Sequence, residues 1–224
     1  MNKKLILVRH GQSVYNLENR FTGWKNVDLT QKGKNEAVYA GDILNQENII
    51  PEIAFTSELK RAQDTLSIIL KKMNLSIPIK KNIALNERDY GSLIGQNKSE
   101  AAEKFGKDQV QKWRRSYDIP PPDGESLKMT CDRVLPYLNT TIMDMFDNYK
   151  TILISAHGNS IRAIVMDLLN YNSKDILKTE IGWCEPWIFS FNSFHEVRDF
   201  YILHPENETN SSFPYLPNFD KQSK

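Results

Sequence analysis

Two histidine–glycine pairs, each placed directly after a short apolar run, are the parts of this sequence best suited to chemistry. His10-Gly11 follows the apolar residues 5–8, and His157-Gly158 follows residues 152–155. At the carboxyl end of a strand, a glycine lets the backbone approach an anion, and the free N–H groups of the next helix favour negative charge. Arg9 adds guanidinium donors that match phosphate oxygens. If the two strands are neighbours, one imidazole can act as a nucleophile and the other as a cationic phosphate ligand.

Arg61 is a third cation at a predicted strand end. The strand at residues 53–55 leads into a helix whose first turn carries Arg61, with Ser57 as its predicted N-cap. A cation at this place opposes the helix dipole unless an anion lies opposite. The pattern therefore favours a phosphoryl site built from arginine and histidine. Two plainer alternatives stay open: the glycines only make tight turns beside histidine caps, and Lys60-Arg61 is a solvated pair.

The histidines do not predict a metal site. His10, His157, His195 and His204 show no His-Glu-x-x-His or similar spacing. Cations beside the two glycine-flanked histidines would repel a metal ion. Guanidinium groups can instead hold a phosphoryl group directly. We therefore expect no metal cofactor.

Composition and charge exclude several classes of protein. The 29 Lys+Arg and 28 Asp+Glu among 224 residues leave a net charge of +1, which argues against a nucleic-acid-binding protein. No apolar run approaches the ~20 residues of a membrane helix, and the first run is followed by no cleavage site. Cys131 and Cys184 are far apart in the sequence, so no disulfide framework is expected. The sequence predicts a cytoplasmic protein that binds neither nucleic acid nor membrane.

The elements that must position these residues follow an α/β pattern. Short apolar runs at residues 5–8, 53–55 and 152–155 predict buried parallel strands. Helices are predicted from a Thr30 N-cap to about residue 45, after Ser57, over 125–146 and over 160–169. The order of elements favours a three-layer α/β fold, in which helices cover both faces of a mostly parallel sheet.

The chain is predicted to form a single domain over residues 1–224. Between about residues 82 and 125 the pattern loosens into polar, aromatic and basic residues that end in three prolines. We predict that this segment is an insertion over the site. The polar and weakly patterned tail from about residue 204 is predicted to be mobile unless it folds over a site.

Longer motifs around these residues carry a resemblance to a known family. Leu-Val-Arg-His-Gly-Gln-Ser at residues 7–13 resembles the signature of the histidine phosphatase superfamily. The rest resembles the cofactor-dependent phosphoglycerate mutase branch of that superfamily over roughly residues 4–170. The segments most specific to this branch are Asn-Glu-Arg-Asp-Tyr-Gly at 86–91 and Trp-Arg-Arg-Ser-Tyr-Asp at 113–118.

The resemblance implies a role for each matching residue. His10 would be transiently phosphorylated, Arg9, Arg61 and His157 would form its phosphate pocket, and Glu87 would be the general acid and base. Cations around His10 would lower its pKa and keep it neutral, as a nucleophile requires. The implied substrate-binding residues are a cationic clamp, its neighbours and the pocket floor: Tyr90, Lys98, Arg114, Arg115, Asn16, Thr22, Gly23, Gly158 and Asn159.

The implied activity is the interconversion of 3-phosphoglycerate and 2-phosphoglycerate in glycolysis and gluconeogenesis. The resemblance also implies priming by 2,3-bisphosphoglycerate, independence of metal, small phosphorylated three-carbon acids as ligands, and assembly as a homodimer or homotetramer. A histidine-type phosphatase acting on small phosphate esters is one alternative, and retention of Lys98, Arg114 and Arg115 argues against it. A non-catalytic phosphate-binding module is another, and retention of His10 and Glu87 argues against that.

Two segments depart from the family's pattern. The long segment that larger members carry between Pro122 and Gly124 is absent, as it is in shorter members. Where the family usually has a Pro-Thr-Gly stretch, residues 179–187 read Thr-Glu-Ile-Gly-Trp-Cys-Glu-Pro-Trp. We expect Gly182 to keep the turn there, and we expect the changed segment to alter the entrance of the pocket.

Overall fold

A six-stranded mixed sheet forms the centre of the protein. A computed structural model describes residues 3–192 and 196–203 of the chain. In the order β3-β2-β4-β1-β5-β6, the first four strands are parallel, and β5 and β6 each run antiparallel to the preceding strand. The strands are β1 (Lys3–Arg9), β2 (Ile53–Thr56), β3 (Ile79–Lys81), β4 (Thr151–Ala156), β5 (Trp187–Phe191) and β6 (Val197–Ile202).

Helices cover both faces of this sheet. The α-helices are α1 (Val14–Leu17), α2 (Gln31–Gln46), α3 (Lys60–Lys72), α4 (Lys98–Phe105), α5 (Lys107–Arg115), α6 (Leu127–Tyr137), α7 (Gly158–Leu168) and α8 (Ser173–Lys178). Alternate residues of a strand point to opposite faces. Leu5 and Leu7 of β1 therefore pack into the core with α6 and α7, whereas Ile6 and Val8 pack into the core with α2 and α3. The predicted three-layer, mostly parallel α/β fold is confirmed.

The segment between β3 and α6 contains α4 and α5 and has a small apolar cluster of its own. Phe21, Leu93, Ala101 and Val110 are buried together in this cluster. Short 3₁₀ helices at Ile83–Leu85 and Gly91–Leu93 precede α4. This packing gives α4 and α5 fixed positions relative to the loop that carries Phe21.

The structure corrects several predicted element boundaries. The helix after β2 begins at Lys60 with Leu59 as its N-cap, because the Ser57 hydroxyl is bonded to a histidine instead of capping the helix. The predicted helix over 125–146 is divided into α6, a π-helical turn at Leu138–Ile142 and a 3₁₀ turn at Met143–Asp147. Pro136 lies just before this change, and proline removes one backbone donor from a helix.

Other parts of the prediction were incomplete or fall outside the described residues. The short exposed strand β3 and the antiparallel strands β5 and β6 were not predicted. His195, His204 and the predicted tail from about residue 204 lie outside the described residues. In the described part of the chain, no helix is both long enough and apolar enough to cross a membrane.

Candidate active site

The parallel pairing of β1 with β4 brings the two histidine–glycine pairs together. Arg9 is opposite Ala156 in the register, and the backbone N–H of His10 donates to the carbonyl of Ala156 at 3.0 Å. The rings of His10 and His157 consequently lie with their centroids 5.0 Å apart. The neighbouring end of β2 adds the start of α3 to the same edge of the sheet.

His10 is held as a neutral imidazole with a defined tautomer. Its Nδ1–H donates to the carbonyl of Gly11 at 2.7 Å, and its Nε2 accepts from Nε of Arg61 at 3.2 Å. The ring is 2% exposed. Burial, followed by the charges of Arg61 and Arg9, lowers the pKa of His10 well below its ordinary value. The proton therefore lies on Nδ1, and Nε2 has the lone pair that a nucleophile needs.

His157 is fully buried behind His10. The Ser57 hydroxyl accepts from the N–H of Leu59 at 3.1 Å and lies 2.7 Å from Nε2 of His157, so its own proton can be donated to that nitrogen. Nδ1 of His157 then bears the ring proton, and within the described residues it has no hydrogen-bond partner. Burial and the charge of Arg61 lower the pKa of His157 well below its ordinary value. Burial thus favours the neutral form of His157, and its role as a cationic phosphate ligand stays a prediction.

Two guanidinium groups flank His10 in different ways. Arg61 is 1% exposed and also donates to the carbonyls of Lys25 at 3.0 Å and Gly23 at 2.9 Å, which fixes all three of its nitrogens. Burial lowers the pKa of Arg61 to about 10. Arg9 donates to the carbonyl of Ile181 at 2.7 Å, while its buried Nε has no partner among the described residues. Arg9 therefore keeps a donor that an anion could use.

Glu87 uses one carboxylate oxygen for hydrogen bonds with backbone N–H groups, and its other oxygen has no hydrogen bond to the described residues. Its Oε1 accepts from the N–H groups of Arg88 at 2.8 Å and Asn159 at 3.1 Å. A side chain at Gly158 would begin 3.8 Å from Oε2 of Glu87 and 3.6 Å from Arg9. The absence of a side chain at position 158 thus keeps the space between these two charged groups open.

One cavity of about 150 Å³ gathers these groups. Thirteen of the fourteen predicted site residues line it, and His157 lies directly behind His10. Four further residues line the cavity and were not predicted as site residues, namely Arg20, Phe21, Arg162 and Glu180. The spacing of Arg162 could have predicted its place in the site. It lies four residues after Gly158 and therefore on the same side of α7.

The remaining cations line the cavity from the α4–α5 segment. Lys98 is the first residue of α4, and Arg114 and Arg115 are the last two residues of α5. Partial burial lowers the pKa of Lys98 despite the opposite effect of Tyr90. The Tyr90 hydroxyl accepts from Arg88 at 2.8 Å. These residues form the cationic clamp of the site, by which we mean Lys98, Arg114 and Arg115.

The floor of the cavity comes from the loops after β1. Asn16 accepts from the backbone N–H of Ser13 at 3.1 Å and so closes the first turn of α1. Thr22 and Gly23 follow in the next loop, where Gly23 has a φ of 49°, a left-handed conformation that glycine adopts without strain. The carbonyl of Gly23 is the one that accepts from Arg61. The floor therefore also orients the phosphate-pocket arginine.

In the divergent segment at residues 179–187, the left-handed residue of the turn is Cys184 and not the predicted Gly182. Cys184 has a φ of 52°, whereas Gly182 does not lie in the left-handed region. The N–H of Cys184 donates to the carbonyl of Arg9 at 2.9 Å, and the Trp183 ring lies 5.4 Å from the Arg9 guanidinium. The segment thus borders the cavity, and it contributes Glu180 to the lining.

The comparisons with known proteins agree with this geometry. The model of the histidine phosphatase superfamily (branch 1) matches residues 5–197. A 2,3-bisphosphoglycerate-dependent phosphoglycerate mutase of Rhodopseudomonas palustris is 49% identical over 193 residues, which are 86% of this chain and 93% of that protein. The protein of the same name from Bartonella quintana is 47% identical over 206 residues, which are 92% of this chain and 100% of that protein.

Solved structures with lower sequence identity share the fold. The alpha-ribazole phosphatase from Shigella flexneri is 19% identical with a TM-score of 0.75, over 87% of this chain and 93% of that one. The mycobacterial glucosyl-3-phosphoglycerate phosphatase is 22% identical with a TM-score of 0.74, over 90% and 97%. At these identities the likeness concerns the fold alone. The family model and the curated relatives show that the chain belongs to branch 1 of the histidine phosphatase superfamily and, within it, to the family of the 2,3-bisphosphoglycerate-dependent phosphoglycerate mutases.

Proposed function

We propose that this protein interconverts 3-phosphoglycerate and 2-phosphoglycerate, a reaction of glycolysis and gluconeogenesis, through a phosphoryl group carried on His10. One observation carries the proposal. A single cavity contains a neutral histidine flanked by Arg9 and Arg61 and also a cationic clamp of Lys98, Arg114 and Arg115. A mutase needs both parts, because the substrate must stay bound while its phosphoryl group changes position.

The residues around His10 fit a phosphoryl group. Nε of Arg9 and Nδ1 of His157 are buried donors without partners among the described residues, and both belong to residues next to His10. Such unpaired donors are costly unless an anion satisfies them. 2,3-Bisphosphoglycerate would supply the phosphoryl group that primes His10.

The first transfer follows from the tautomer of His10. Nε2 releases the hydrogen bond from Nε of Arg61 and forms a bond to phosphorus, while the bond between phosphorus and the ester oxygen of the substrate breaks. The Nδ1–H bond to Gly11 stabilises the ring as it becomes positive. Arg9, Arg61 and the N–H of His157 stabilise the charge on the transferring oxygens.

Glu87 acts as the general acid in one direction and as the general base in the other. As an acid, it gives a proton to the ester oxygen that leaves phosphorus. As a carboxylate, it removes a proton from the hydroxyl that attacks phosphohistidine in the return step. Because the two backbone N–H groups occupy Oε1, Oε2 is the oxygen left for this exchange.

The cationic clamp would hold the carboxylate of the ligand and, when 2,3-bisphosphoglycerate is bound, the phosphate that is not being transferred. Three cations at one wall can bind either group, so the three-carbon acid can turn round without leaving. A phosphatase needs no such clamp, and the relatives at 47–49% identity carry the mutase name, so the hydrolase alternative is less supported. A non-catalytic module is also less supported, since His10 and Glu87 are both present and line the same cavity. A cytoplasmic location, independence of metal and a homodimeric or homotetrameric state stay predictions.

A coupled assay of 3-phosphoglycerate conversion tests the proposal. We expect isomer formation that depends on catalytic amounts of 2,3-bisphosphoglycerate, survives EDTA and releases little inorganic phosphate. The His10→Ala variant should lose this activity and keep its fold by circular dichroism. Release of inorganic phosphate without isomer formation would instead support a phosphatase.

A further inference from the structure

Glu180 is a carboxylate in a cavity whose charged residues are mostly cations. The described lining residues include seven lysines and arginines but only two carboxylates, Glu87 and Glu180. Oε1 of Glu180 accepts from Nη1 of Arg115 at 2.6 Å, and Oε2 accepts from Nη2 of Arg162 at 2.9 Å. One side chain therefore bridges a clamp arginine and an arginine of α7.

Arg162 makes more hydrogen bonds to the rest of the protein than Arg115 does. The Arg162 side chain is 13% exposed, and it also donates to the carbonyl of Thr179 at 2.9 Å and contacts Oδ1 of Asn159 at 3.5 Å. The Arg115 side chain is 37% exposed and, within the described residues, is bonded through Nη1 alone. Arg162 is thus a fixed anchor for Glu180, whereas the contact with Arg115 can exchange.

We propose that Glu180 is an internal counter-anion that competes with the substrate for Arg115 and so sets how tightly phosphoglycerate is held. This inference rests on the proposed function. When an anionic group of the ligand reaches Arg115, it replaces the carboxylate of Glu180 there, and the bond to Arg162 keeps that carboxylate nearby. As the product leaves, Glu180 returns to Arg115. The cavity then never has to expose the full charge of its arginines.

The exposure of the pair suits exchange. The Glu180 side chain is 54% exposed, and ion pairs between partly exposed groups are weak because water competes for both partners. A ligand can therefore displace Glu180 at a small cost. That cost should appear as a modest loss of affinity in the wild-type protein.

Calorimetric titration of 3-phosphoglycerate into the dephosphorylated protein, without 2,3-bisphosphoglycerate, measures this effect without turnover. We expect Glu180→Gln to lower the Kd by about 2- to 5-fold, as expected for release of a partly exposed ion pair. The gain should shrink at high salt, which screens exposed charges. Asp147→Asn is the matched control, since it removes one negative charge at the opposite edge of the sheet, just before β4, and should leave the Kd unchanged.

A double-mutant cycle identifies Arg115 as the contested group. In an Arg115→Ala background, Glu180→Gln should no longer tighten binding. Weaker binding by Glu180→Gln would mean that Glu180 positions Arg115 for the ligand, and an unchanged Kd would mean that no competition exists. Either result would overturn this inference and leave the proposed function intact. Failure of the wild-type protein to bind 3-phosphoglycerate would overturn the proposed function and this inference together.

Discussion

His10 and His157 share the same sequence context but have different hydrogen-bond partners. The carbonyl of Gly11 fixes the proton of His10 on Nδ1, whereas the Ser57 hydroxyl occupies Nε2 of His157. The first arrangement leaves a lone pair for attack, and the second leaves a donor for a phosphate oxygen. The proposed division of roles between nucleophile and ligand therefore comes from these two partners.

The lowered pKa values of both buried histidines predict how stability depends on pH. Their folded-state pKa values lie well below the ordinary 6.5, so in this range the unfolded chain binds more protons than the folded one. Stability should therefore fall as the pH drops through about 6.5, by up to about 1.4 kcal/mol per pH unit for each histidine. Urea unfolding at several pH values between 7.5 and 5 measures this slope.

The variant His10→Asn isolates one of these contributions. It removes one titrating group, so the slope of stability against pH should become shallower than in the wild-type protein. Lys34→Ala, an exposed change on α2, should keep the wild-type slope. An identical slope for His10→Asn and wild type would show that His10 is not held neutral.

The strand-end pattern and the family motifs together identified most of the cavity, including residues of the α4–α5 segment, but not Glu180. His10, Arg61 and His157 were predicted because a glycine or a helix start follows each strand. Glu180 had no such signal, since its place in the cavity depends on how the segment after α8 returns to the sheet. In the sequence, Glu180 cannot be distinguished from an ordinary charged surface residue.

At the scale of elements, Arg133 of α6 connects the helix to the loop that carries Glu87. Its guanidinium donates to Oε2 of Glu125 at 2.9 Å and to the carbonyls of Ala84 at 2.8 Å and Glu87 at 3.3 Å. A planar group with five donors can serve all of these acceptors together, and an ammonium group cannot. Arg133 is therefore a positioning residue for Glu87.

Replacing Arg133 by Lys should misplace Glu87 while keeping the charge. We expect the kcat of the isomerase assay to fall by about 10- to 100-fold with a smaller change in KM, since the clamp is untouched. The free energy of unfolding should fall by about 2 kcal/mol, because buried carbonyls lose donors. On the same helix, Lys128→Ala breaks only an exposed pair with Asp132 and should leave both quantities nearly unchanged. A KM effect alone would argue against the positioning role.

The start of α2 packs directly on the loop that carries His10. A side chain at Gly33 would begin 2.1 Å from the carbonyl oxygen of Gln12, and one at Gly11 would begin 2.2 Å from the carbonyl oxygen of Gly33. Both contacts are with backbone, which cannot rotate away. The two glycines thus permit the close approach that seats the loop after β1.

Gly33→Ala should destabilise the protein in spite of the better helix propensity of alanine. The propensity gain is at most about 1 kcal/mol, whereas overpacking against backbone costs about 1–3 kcal/mol or more. We therefore expect a net loss in urea unfolding. The neighbouring exposed change Lys34→Ala should stay within about 0.5 kcal/mol of wild type. Wild-type stability of Gly33→Ala would mean that the loop after β1 is not packed as described.

The limits of prediction are clearest in the elements themselves. Apolar runs predicted β1, β2 and β4, which are buried on both faces. The edge strand β3 is exposed at all three residues and has no apolar pattern to detect. The N-cap of α3 was placed wrongly at Ser57, because the hydroxyl's actual partner, His157, lies 100 residues away in the chain.

At the scale of the whole molecule, an almost neutral chain concentrates positive charge at one place. The net charge of +1 gives no sign that seven cations line a single cavity. The sheet collects strand ends at one edge, and the α4–α5 segment with its own small core adds the clamp from the side. The sequence predicted which residues match a family, and the fold explains why residues from positions 9 to 180 meet.

The most direct test of the account follows the phosphoryl group itself. The protein is incubated with radiolabelled 2,3-bisphosphoglycerate, its labelled residue is identified by mass spectrometry, and unlabelled 3-phosphoglycerate is then added. We predict acid-labile label on His10, none on His10→Ala, and transfer of that label to a phosphoglycerate ester. Label on another residue, or its release mainly as inorganic phosphate when 3-phosphoglycerate is present, would contradict the account.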